Sequence, residues 1–321
     1  MSDLLSIIVL SYKSNNMLYE TLDSILDQNY PNIEIVICDD ASPVFDENQV
    51  KKYISDHKKS NITNIQIIVN SKNVGTVKNL NYGIRSAKGK YIKAIAGDDQ
   101  LASPEVCSCQ INYLKNHPKT NFVVGNILEC DDKMNPISKS GFLVEDDHNS
   151  IFTKKNSLLT YIVRKNQKAL STQAMCFRKE FFETEGLYDE RFLLIEDLPM
   201  SIKIVQNEKR IGYINKICVK HRGQVGVSTS NNAFNKRKLK YYEDLEKYYR
   251  ISLEPIKDTI GKMYVDMRHK ICQFRVEYCQ LENSDWIGKL KLVIRYSVPL
   301  MYYMRTRSSR VLFYLKGESK Y

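Results

Sequence analysis

The chain has 321 residues, of which 43% are hydrophobic and 26% charged, and its formal net charge is +11. This composition is typical of a globular protein, and the length predicts one large domain with an appendage. None of the eight cysteines forms a CxxC pair, which excludes the usual structural zinc motifs and favours free thiols in a reducing cytosol.

Short apolar runs alternate with amphipathic segments through the N-terminal third of the chain. The runs are as long as buried strands, and the segments between them carry apolar residues at helical spacing. Strands that alternate with helices in this way predict a parallel sheet with right-handed crossovers. The predicted strands are 4–10, 33–38 and 65–69, and the predicted helices are 46–57, 76–87 and one with Leu18, Leu22, Ile25 and Leu26 on its apolar face.

The next strand, predicted at 91–96, ends on a glycine and two adjacent carboxylates. Gly97 allows a tight bend, which leaves Asp98 and Asp99 at the carboxyl end of the strand. In open α/β sheets ligands bind at this edge, and paired carboxylates suit a hard divalent cation that also accepts phosphate oxygens. The alternative is an Asp-Asp turn that caps the following helix.

Other polar residues also follow predicted strands, so they belong to the same sheet edge. Tyr12 and Asp39 follow the first two strands, and Lys78 lies beyond the loop after the third. A nucleotide site is the natural interpretation, yet the chain has no G-x-G and no complete phosphate-binding loop. A cation on Asp98 or Asp99 would neutralise the phosphates instead.

Residues 6–42, the segment 73–92 and the Gly97-Asp98-Asp99 sequence closely resemble the N-terminal half of the family 2 glycosyltransferases. The resemblance implies a GT-A-like α/β fold, with a mostly parallel sheet flanked by helices. It assigns 1–225 to the catalytic domain and leaves 226–321 as a helical C-terminal extension. It also implies an inverting enzyme that uses a nucleoside diphosphate sugar, UDP-linked, with Mn²⁺ or Mg²⁺.

The same resemblance implies roles for single residues in the donor site. Asp98 falls on the last position of the family's DxD metal motif, and Asp99 follows it as a second metal ligand, while Ala96 stands where the motif has its first aspartate. Strand-end capping or turn formation is the alternative for each polar residue, and a solvated helix charge is the alternative for Lys78. The implied donor contacts are Ser11, Tyr12 and Asp39 at the base, Lys78 at the base or diphosphate, and Asn73 in the loop before it.

The middle of the chain carries no motif and is where acceptor selection would lie. A helix is predicted to begin at Ser103-Pro104, in the usual order of N-cap and first helical residue. The remaining predicted elements are a strand at 121–128, a surface loop or hairpin at 131–149, a short helix at 157–164 and a short strand at 171–177.

Two acids stand before the helical pattern that begins near residue 198. Glu196 and Asp197 resemble the family's ED motif, whose aspartate is the general base, so Asp197 is the predicted base and Glu196 the second choice. Capping of the helix N-terminus is the alternative. After a strand predicted at 209–220, His221 or Arg222 falls near a place where relatives contact the metal or the diphosphate. A surface histidine beside an arginine is the alternative there.

The chain changes character after residue 236. Apolar residues recur at helical spacing from Ile256 through Met263 to Leu281, which predicts a stripe packed on the catalytic domain or, in a homodimer, on a second copy. From Asp285 onward eight Lys or Arg stand against two acids, interleaved with Leu, Val, Phe and Trp286. This pattern is typical of an interfacial helix on anionic lipid, although a packed helical cap fits as well. No segment is long enough to predict a transmembrane helix.

We therefore expect a cytoplasmic enzyme, peripheral at the inner face of the membrane, with no nucleic acid as partner. Its expected substrates are a UDP-sugar and a saccharide acceptor, lipid-linked, of surface polysaccharide assembly. Two alternatives remain open. A sugar nucleotidyltransferase would share the acids but should have a Gly-rich loop where this chain has LSYKSNN. A non-catalytic basic binding protein would explain the charge but not the acids at strand ends.

Overall fold

The computed structural model divides the chain into two units, residues 1–230 and residues 231–321. It describes residues 2–141, 155–165, 169–207, 210–223, 238–282 and 284–306. The end of the predicted loop at 131–149, the segment after Gly223 and the basic tail beyond residue 306, with Leu312 and Phe313, lie outside these residues.

The described part of the first unit is built on a nine-stranded mixed sheet. The strands are β1 Leu5–Ser11, β2 Ile33–Asp39, β3 Ile62–Val69, β4 Tyr91–Ala96, β5 Gln100–Leu101, β6 Phe122–Cys130, β7 Pro136–Ser140, β8 Met175–Arg178 and β9 Ile211–Arg222, in the order β3-β2-β1-β4-β8-β6-β9-β5 with β7 on β6. The first four strands in this order, β3, β2, β1 and β4, are parallel, as predicted, whereas β8 is antiparallel to both of its neighbours, β4 and β6. β9 is parallel to β6. The short strand β5 is antiparallel to β9, and β7 is antiparallel to β6.

Helices connect these strands and cover the sheet. The apolar face predicted for the first helix is buried, because Leu18, Leu22, Ile25 and Leu26 pack into the core. Full burial of such a side chain contributes about 1.5–3 kcal/mol. The α-helices of this unit are α1 Met17–Leu26, α2 Glu47–His57, α3 Thr76–Ser86, α4 Val106–Asn116, α5 Lys155–Thr160, α6 Glu180–Glu185 and α7 Asp197–Gln206.

The helix after β5 begins later than predicted. α4 starts at Val106 rather than at Ser103-Pro104, and Glu105 is its N-cap without a side-chain cap bond. The carbonyl of Ser103 accepts a hydrogen bond from the side chain of Gln28 at 2.8 Å, and that of Pro104 accepts one from the backbone of residue 29 at 2.9 Å. Both carbonyls thus bind residues that follow α1. The Ser103 carbonyl also accepts a bond from the backbone of Val106 at 3.3 Å, which forms a turn, and the regular helical ladder starts with the bond from Cys109 to the Glu105 carbonyl at 2.9 Å.

The second unit is helical, and its predicted stripe is interrupted. Its α-helices are α8 Leu239–Tyr248, α9 Lys257–Ile260, α10 Lys262–Gln280 and α11 Trp286–Arg295. Gly261 separates α9 from α10 with φ +110°. This left-handed residue re-aims the chain, so Tyr264 and Val265 are buried while Met263, predicted inside, is 63% exposed. No helix in the described ranges is both long and apolar enough to cross a bilayer.

Candidate functional site

The ends of β1 and β2 lie side by side and present the first predicted donor residues. Ser11 pairs with Asp39 in the strand register. The buried carboxylate of Asp39 accepts hydrogen bonds from the Ser11 hydroxyl at 3.0 Å and from the backbone and hydroxyl of Ser42 at 2.8 and 2.7 Å. Its orientation is therefore fixed. Tyr12 is 47% exposed at this edge, so its ring can accept a stacked base.

A cavity of about 380 Å³ opens beside these strand ends. Its walls come from the start of α1 and the loop that follows β2, and they include Ser11, Lys13 and Ser42. The ammonium of Lys13 lies 5.0 Å from the centroid of the Tyr12 ring. One cation and one carboxylate, that of Asp46, line the cavity together with hydroxyl, amide and apolar side chains, and a mixed lining of this kind suits a polar ligand such as a nucleotide.

Asp40, to which sequence analysis assigned no role, holds the loop before α3. Its buried carboxylate accepts hydrogen bonds from the backbone of Val74 and Gly75, both at 2.8 Å. The side chain of Asn73 donates to the Asp40 carbonyl at 3.3 Å. Asn73 is thereby brought to the end of β2, while Lys78 lies exposed on α3. The sequence signal was the second aspartate after an apolar strand.

The start of α3 also receives the segment that leads to the ED pair. Gly75 has φ +88°, and a Cβ there would lie 2.6 Å from the carbonyl oxygen of Leu193. The backbone of Val77 donates to that carbonyl at 3.2 Å, and the side chain of Asn81 donates to the carbonyl of Tyr188 at 2.9 Å. These contacts bring the residues before Glu196 to the sheet edge that carries Asp39.

Glu196 and Asp197 stand at the head of α7, which begins at Asp197. Burial, followed by the charge of Asp197, raises the pKa of Glu196 to about 8. Two adjacent carboxyls in a buried site disfavour ionisation of both, so the pair holds a proton above the ordinary pH range of a carboxyl. The catalytic role of either residue stays a prediction.

Asp99 is bound to the end of β9 rather than open to solvent. Its carboxylate accepts a hydrogen bond from the backbone of Arg222 at 2.7 Å and lies 3.1 Å from Nδ1 of His221. Its carbonyl accepts a hydrogen bond from the Thr21 hydroxyl at 2.6 Å. These contacts fix the orientation of Asp99, and its role as a second metal ligand stays a prediction.

Asp98 differs from its neighbour because burial and the adjacent charge of Asp99 raise its pKa to about 6. A carboxylate in this condition gains from a nearby cation. No described group of three or more His, Cys, Asp or Glu side chains is arranged to hold a metal ion. Magnesium and manganese are often bound through one or two carboxylates together with substrate phosphates, so Asp98 fits such an ion.

Arg222 lies under this corner of the sheet and is almost fully buried. Its guanidinium donates to the carbonyl of Asp98 at 3.0 Å, to the carbonyl of Asp132 at 2.6 Å and to the carboxylate of Glu20. The bond to the Asp98 carbonyl fixes the backbone of Asp98 at the end of the sheet. The predicted contact of Arg222 or His221 with the diphosphate stays a prediction, and residues 224–237 lie outside the described residues.

Comparison with known proteins identifies the family. The profile described as Glycosyl transferase family 2 matches residues 6–185, more than half of the chain. The chain belongs to this family. An Escherichia coli relative, the UDP-Glc:alpha-D-GlcNAc-diphosphoundecaprenol beta-1,3-glucosyltransferase WfaP, is 34% identical over 35% of this chain and 42% of its own length. An uncharacterized glycosyltransferase of Rickettsia prowazekii is 28% identical over 76% of this chain and 70% of its own length.

Solved structures share the fold of this glycosyltransferase. Staphylococcus aureus TarS 1-349 in complex with UDP-GlcNAc has a TM-score of 0.57 and 16% identity, over 91% of this chain and 80% of that one. The mannosyltransferase PcManGT from Pyrobaculum calidifontis, in complex with GDP-Man and Mn²⁺, has a TM-score of 0.56 and 14% identity, over 97% and 81%. The fold is GT-A-like. This chain spans about two fifths of the length of the first three curated relatives that it matches.

Proposed function

We propose that this glycosyltransferase is an inverting enzyme that uses a UDP-linked sugar as donor. The observation that carries the proposal is the convergence of Tyr12, Asp39 and the Asp40-bound loop at one sheet edge. In this proposal Ser11, Tyr12 and Asp39 hold the base, and Asn73 and Lys78 contact the base or the diphosphate. The nucleotide-sugar complexes of TarS and PcManGT support a donor of this class.

Asp197 is the proposed general base. The oxygen of an acceptor hydroxyl attacks the anomeric carbon of the donor sugar, and Asp197 accepts the proton of that hydroxyl. The bond between the anomeric carbon and the diphosphate oxygen breaks, and the diphosphate leaves with the electron pair. Attack from the opposite side inverts the configuration, so an α-linked donor gives a β linkage.

Asp98 is the residue proposed to hold a divalent cation, Mn²⁺ or Mg²⁺, together with the diphosphate. A cation bound there supplies positive charge that stabilises the departing diphosphate. Asp99 supports the same corner through His221 and the backbone of Arg222. The side chain of Arg222 fixes the carbonyl of Asp98, and His221 remains the residue of this pair with an accessible edge.

The proposed acceptor is a lipid-linked saccharide of cell-surface polysaccharide assembly, such as O-antigen or capsule. The similar protein WfaP, named as acting on a diphosphoundecaprenol-linked sugar, supports this class. We further propose that 1–225 form the catalytic domain and that the helical extension 226–321 attaches the enzyme to the inner face of the cytoplasmic membrane. Pairing of two copies through these helices is the alternative use of the same surface.

A donor screen tests the proposed function. Purified protein is assayed for nucleotide release with Mn²⁺ over a panel of UDP- and GDP-sugars, with and without EDTA. We expect release from one UDP-sugar, and we expect EDTA to abolish it. Release from a GDP-sugar alone would overturn the assignment of the donor, and full activity in EDTA would overturn the role of the cation.

A further inference from the structure

A second cavity, of about 450 Å³, opens on the sheet where β6, β7 and β9 pair. Its lining includes the ammonium-bearing side chains of Lys139, Lys216 and Lys220 and the amides of Asn126 and Asn215. We propose that this cavity is a binding site for a diphosphate group. The proposal goes beyond the donor chemistry, because none of the residues assigned to the donor site lines this cavity.

The charge of the lining favours an anion with more than one negative charge. Three lysines contribute to the walls, and none of the described residues that line the cavity carries a carboxylate. The ammonium of Lys216 donates to Sγ of Cys109 at 3.4 Å and forms an ion pair with Glu105 at 3.7 Å. A thiol is a weak acceptor and the exposed ion pair contributes little, so an anion in the cavity can compete for this ammonium. A diphosphate offers acceptor oxygens to ammonium and amide donors alike.

The polar floor of the cavity is held in place by hydrogen bonds. Asn126 is buried, and its side-chain amide donates to the hydroxyl of Tyr213 at 3.0 Å and to Oδ1 of Asn215 at 3.1 Å. The pairing of β6 with β9 shifts register on both sides of Asn126. Irregularities of this kind re-aim side chains within a sheet, which explains how neighbouring residues of β9 line one cavity.

Different residues serve this cavity and the donor edge. Lys220 lines the cavity, whereas the next residue, His221, lies against the carboxylate of Asp99. None of the residues assigned to the donor diphosphate lines the cavity. The proposed ligand is therefore a second diphosphate group. It is either a free anion or the diphosphate of a lipid-linked saccharide, and the second source rests on the acceptor proposed above.

Calorimetric titration with inorganic pyrophosphate tests the proposal. EDTA is present throughout, so that no cation brings pyrophosphate to Asp98. We expect wild-type protein to bind, and we expect the double variant Lys216→Gln and Lys220→Gln to bind about tenfold more weakly or worse, since each lost charge removes a charge-assisted hydrogen bond. Lys119→Gln, an exposed lysine outside the cavity, is the matched control and should bind like wild type.

Two further titrations test whether the natural anion is free or lipid-linked, and whether the cavity binds pyrophosphate independently of the donor site. Geranyl diphosphate binds more tightly than pyrophosphate if the natural ligand is lipid-linked, and equally tightly if it is a free anion. Lys78→Gln should leave pyrophosphate binding unchanged, because Lys78 is the cation assigned to the diphosphate at the donor edge. The proposal is overturned if wild-type protein does not bind pyrophosphate, if the double variant binds it as well as wild type, or if Lys78→Gln abolishes binding.

Discussion

Asp197 and Glu196 are adjacent acids with different surroundings, and a pair of isosteric substitutions separates their roles. Asp197→Asn keeps the shape of the side chain but cannot accept a proton. We expect transfer to fall on the order of a hundredfold or more while donor affinity changes little. Single-turnover transfer and equilibrium UDP binding measure the two effects. If Asp197→Asn keeps wild-type activity while Glu196→Gln is inactive, the general base is Glu196 instead.

The raised pKa of Glu196 also predicts how stability depends on pH. In the unfolded chain the carboxyl loses its proton near its ordinary value of 4.5, whereas in the folded protein burial and Asp197 hold it to about 8. Between these values the folded state binds the extra proton. Stability is therefore full below the lower value, falls as pH rises, and is lowest above the higher one.

Urea unfolding measures this dependence. The urea midpoint for wild-type protein should fall as pH rises from about 5 to about 9. Glu196→Gln should flatten the decline above about pH 6, because glutamine never has to release a proton, whereas the raised pKa of Asp98 still makes stability fall with rising pH below that value. The exposed Glu183 on α6 supplies the control, and Glu183→Gln should follow the wild-type curve. A decline that is equally steep in Glu196→Gln would show that another group is responsible.

At the scale of elements, the loop before α3 joins the proposed donor edge to the segment that carries the proposed base. Gly75→Ala forces a Cβ into the carbonyl of Leu193 at a backbone angle that side chains rarely adopt. Such strained residues cost about 1–3 kcal/mol. We expect a lower urea midpoint of unfolding together with slower sugar transfer, because the residues before Glu196 lose their contacts with the start of α3.

Gly186→Ala is the matched control for this change. Gly186 also has a positive φ, +78°, but its nearest neighbour is the end of a lysine side chain at 3.9 Å. It therefore bears the backbone strain without the clash. If both variants lose the same stability and activity, the contact between Gly75 and Leu193 has no special role.

The elements around this loop were predictable because each is specified by a local pattern. β1, β2, β4, α2 and α3 agree with their predicted positions to within one or two residues, and the apolar face predicted for α1 is buried, since apolar runs and helical spacing decide these features. β3 begins three residues before its predicted start. The position of β8 between β4 and β6 was not predictable, because strand partners are set by tertiary packing. The prediction that Met263 packs inside was wrong for a related reason, because the turn at Gly261 changes which face of α10 is buried.

The residues of the candidate site likewise fall into those that local patterns predicted and those that only the fold reveals. Asp39, Asp98, Glu196 and Asp197 stand at element ends that local patterns reveal. Asp40 and Asn81 contribute through hydrogen bonds to Val74 and to Tyr188, which are distant in sequence, and no spacing rule connects such partners. The bonds of Arg222 to Glu20 and to the carbonyl of Asp98 are equally non-local.

At the scale of the whole molecule, the C-terminal helices have one packed face and one exposed apolar face. The backbone ladder continues through Tyr296 after α11, and residues 297–306 are helical. Tyr296 is buried against α10, where its ring lies 5.7 Å from that of Phe274 and its hydroxyl donates to Glu277 at 2.5 Å. Arg275 donates to the hydroxyl of Tyr303 at 3.2 Å, on the same side.

The opposite face of these helices exposes large apolar side chains at spacings of one, three or four residues, from Trp286, which is 68% exposed, to Met301. Lys289 and Lys291 accompany them. An exposed apolar stripe flanked by cations matches the interface of an anionic membrane, where acyl chains take the apolar side chains and lipid phosphates take the charges. The remaining members of the stripe are Ile287, Leu290, Val293, Ile294 and Val298.

Vesicle sedimentation checks this attachment. Full-length protein should sediment with vesicles that contain anionic lipid and much less with neutral ones, and salt should weaken binding because each cation near the surface contributes about 1 kcal/mol. Replacing Leu290 and Ile294 with Glu should release the protein, since both side chains are exposed and the fold does not depend on them. Ile137→Glu, an equally exposed apolar residue on β7, should sediment like wild type. If wild-type protein ignores anionic vesicles, and the Leu290 and Ile294 variant instead converts a dimer to a monomer in light scattering, the exposed face pairs two copies of the chain.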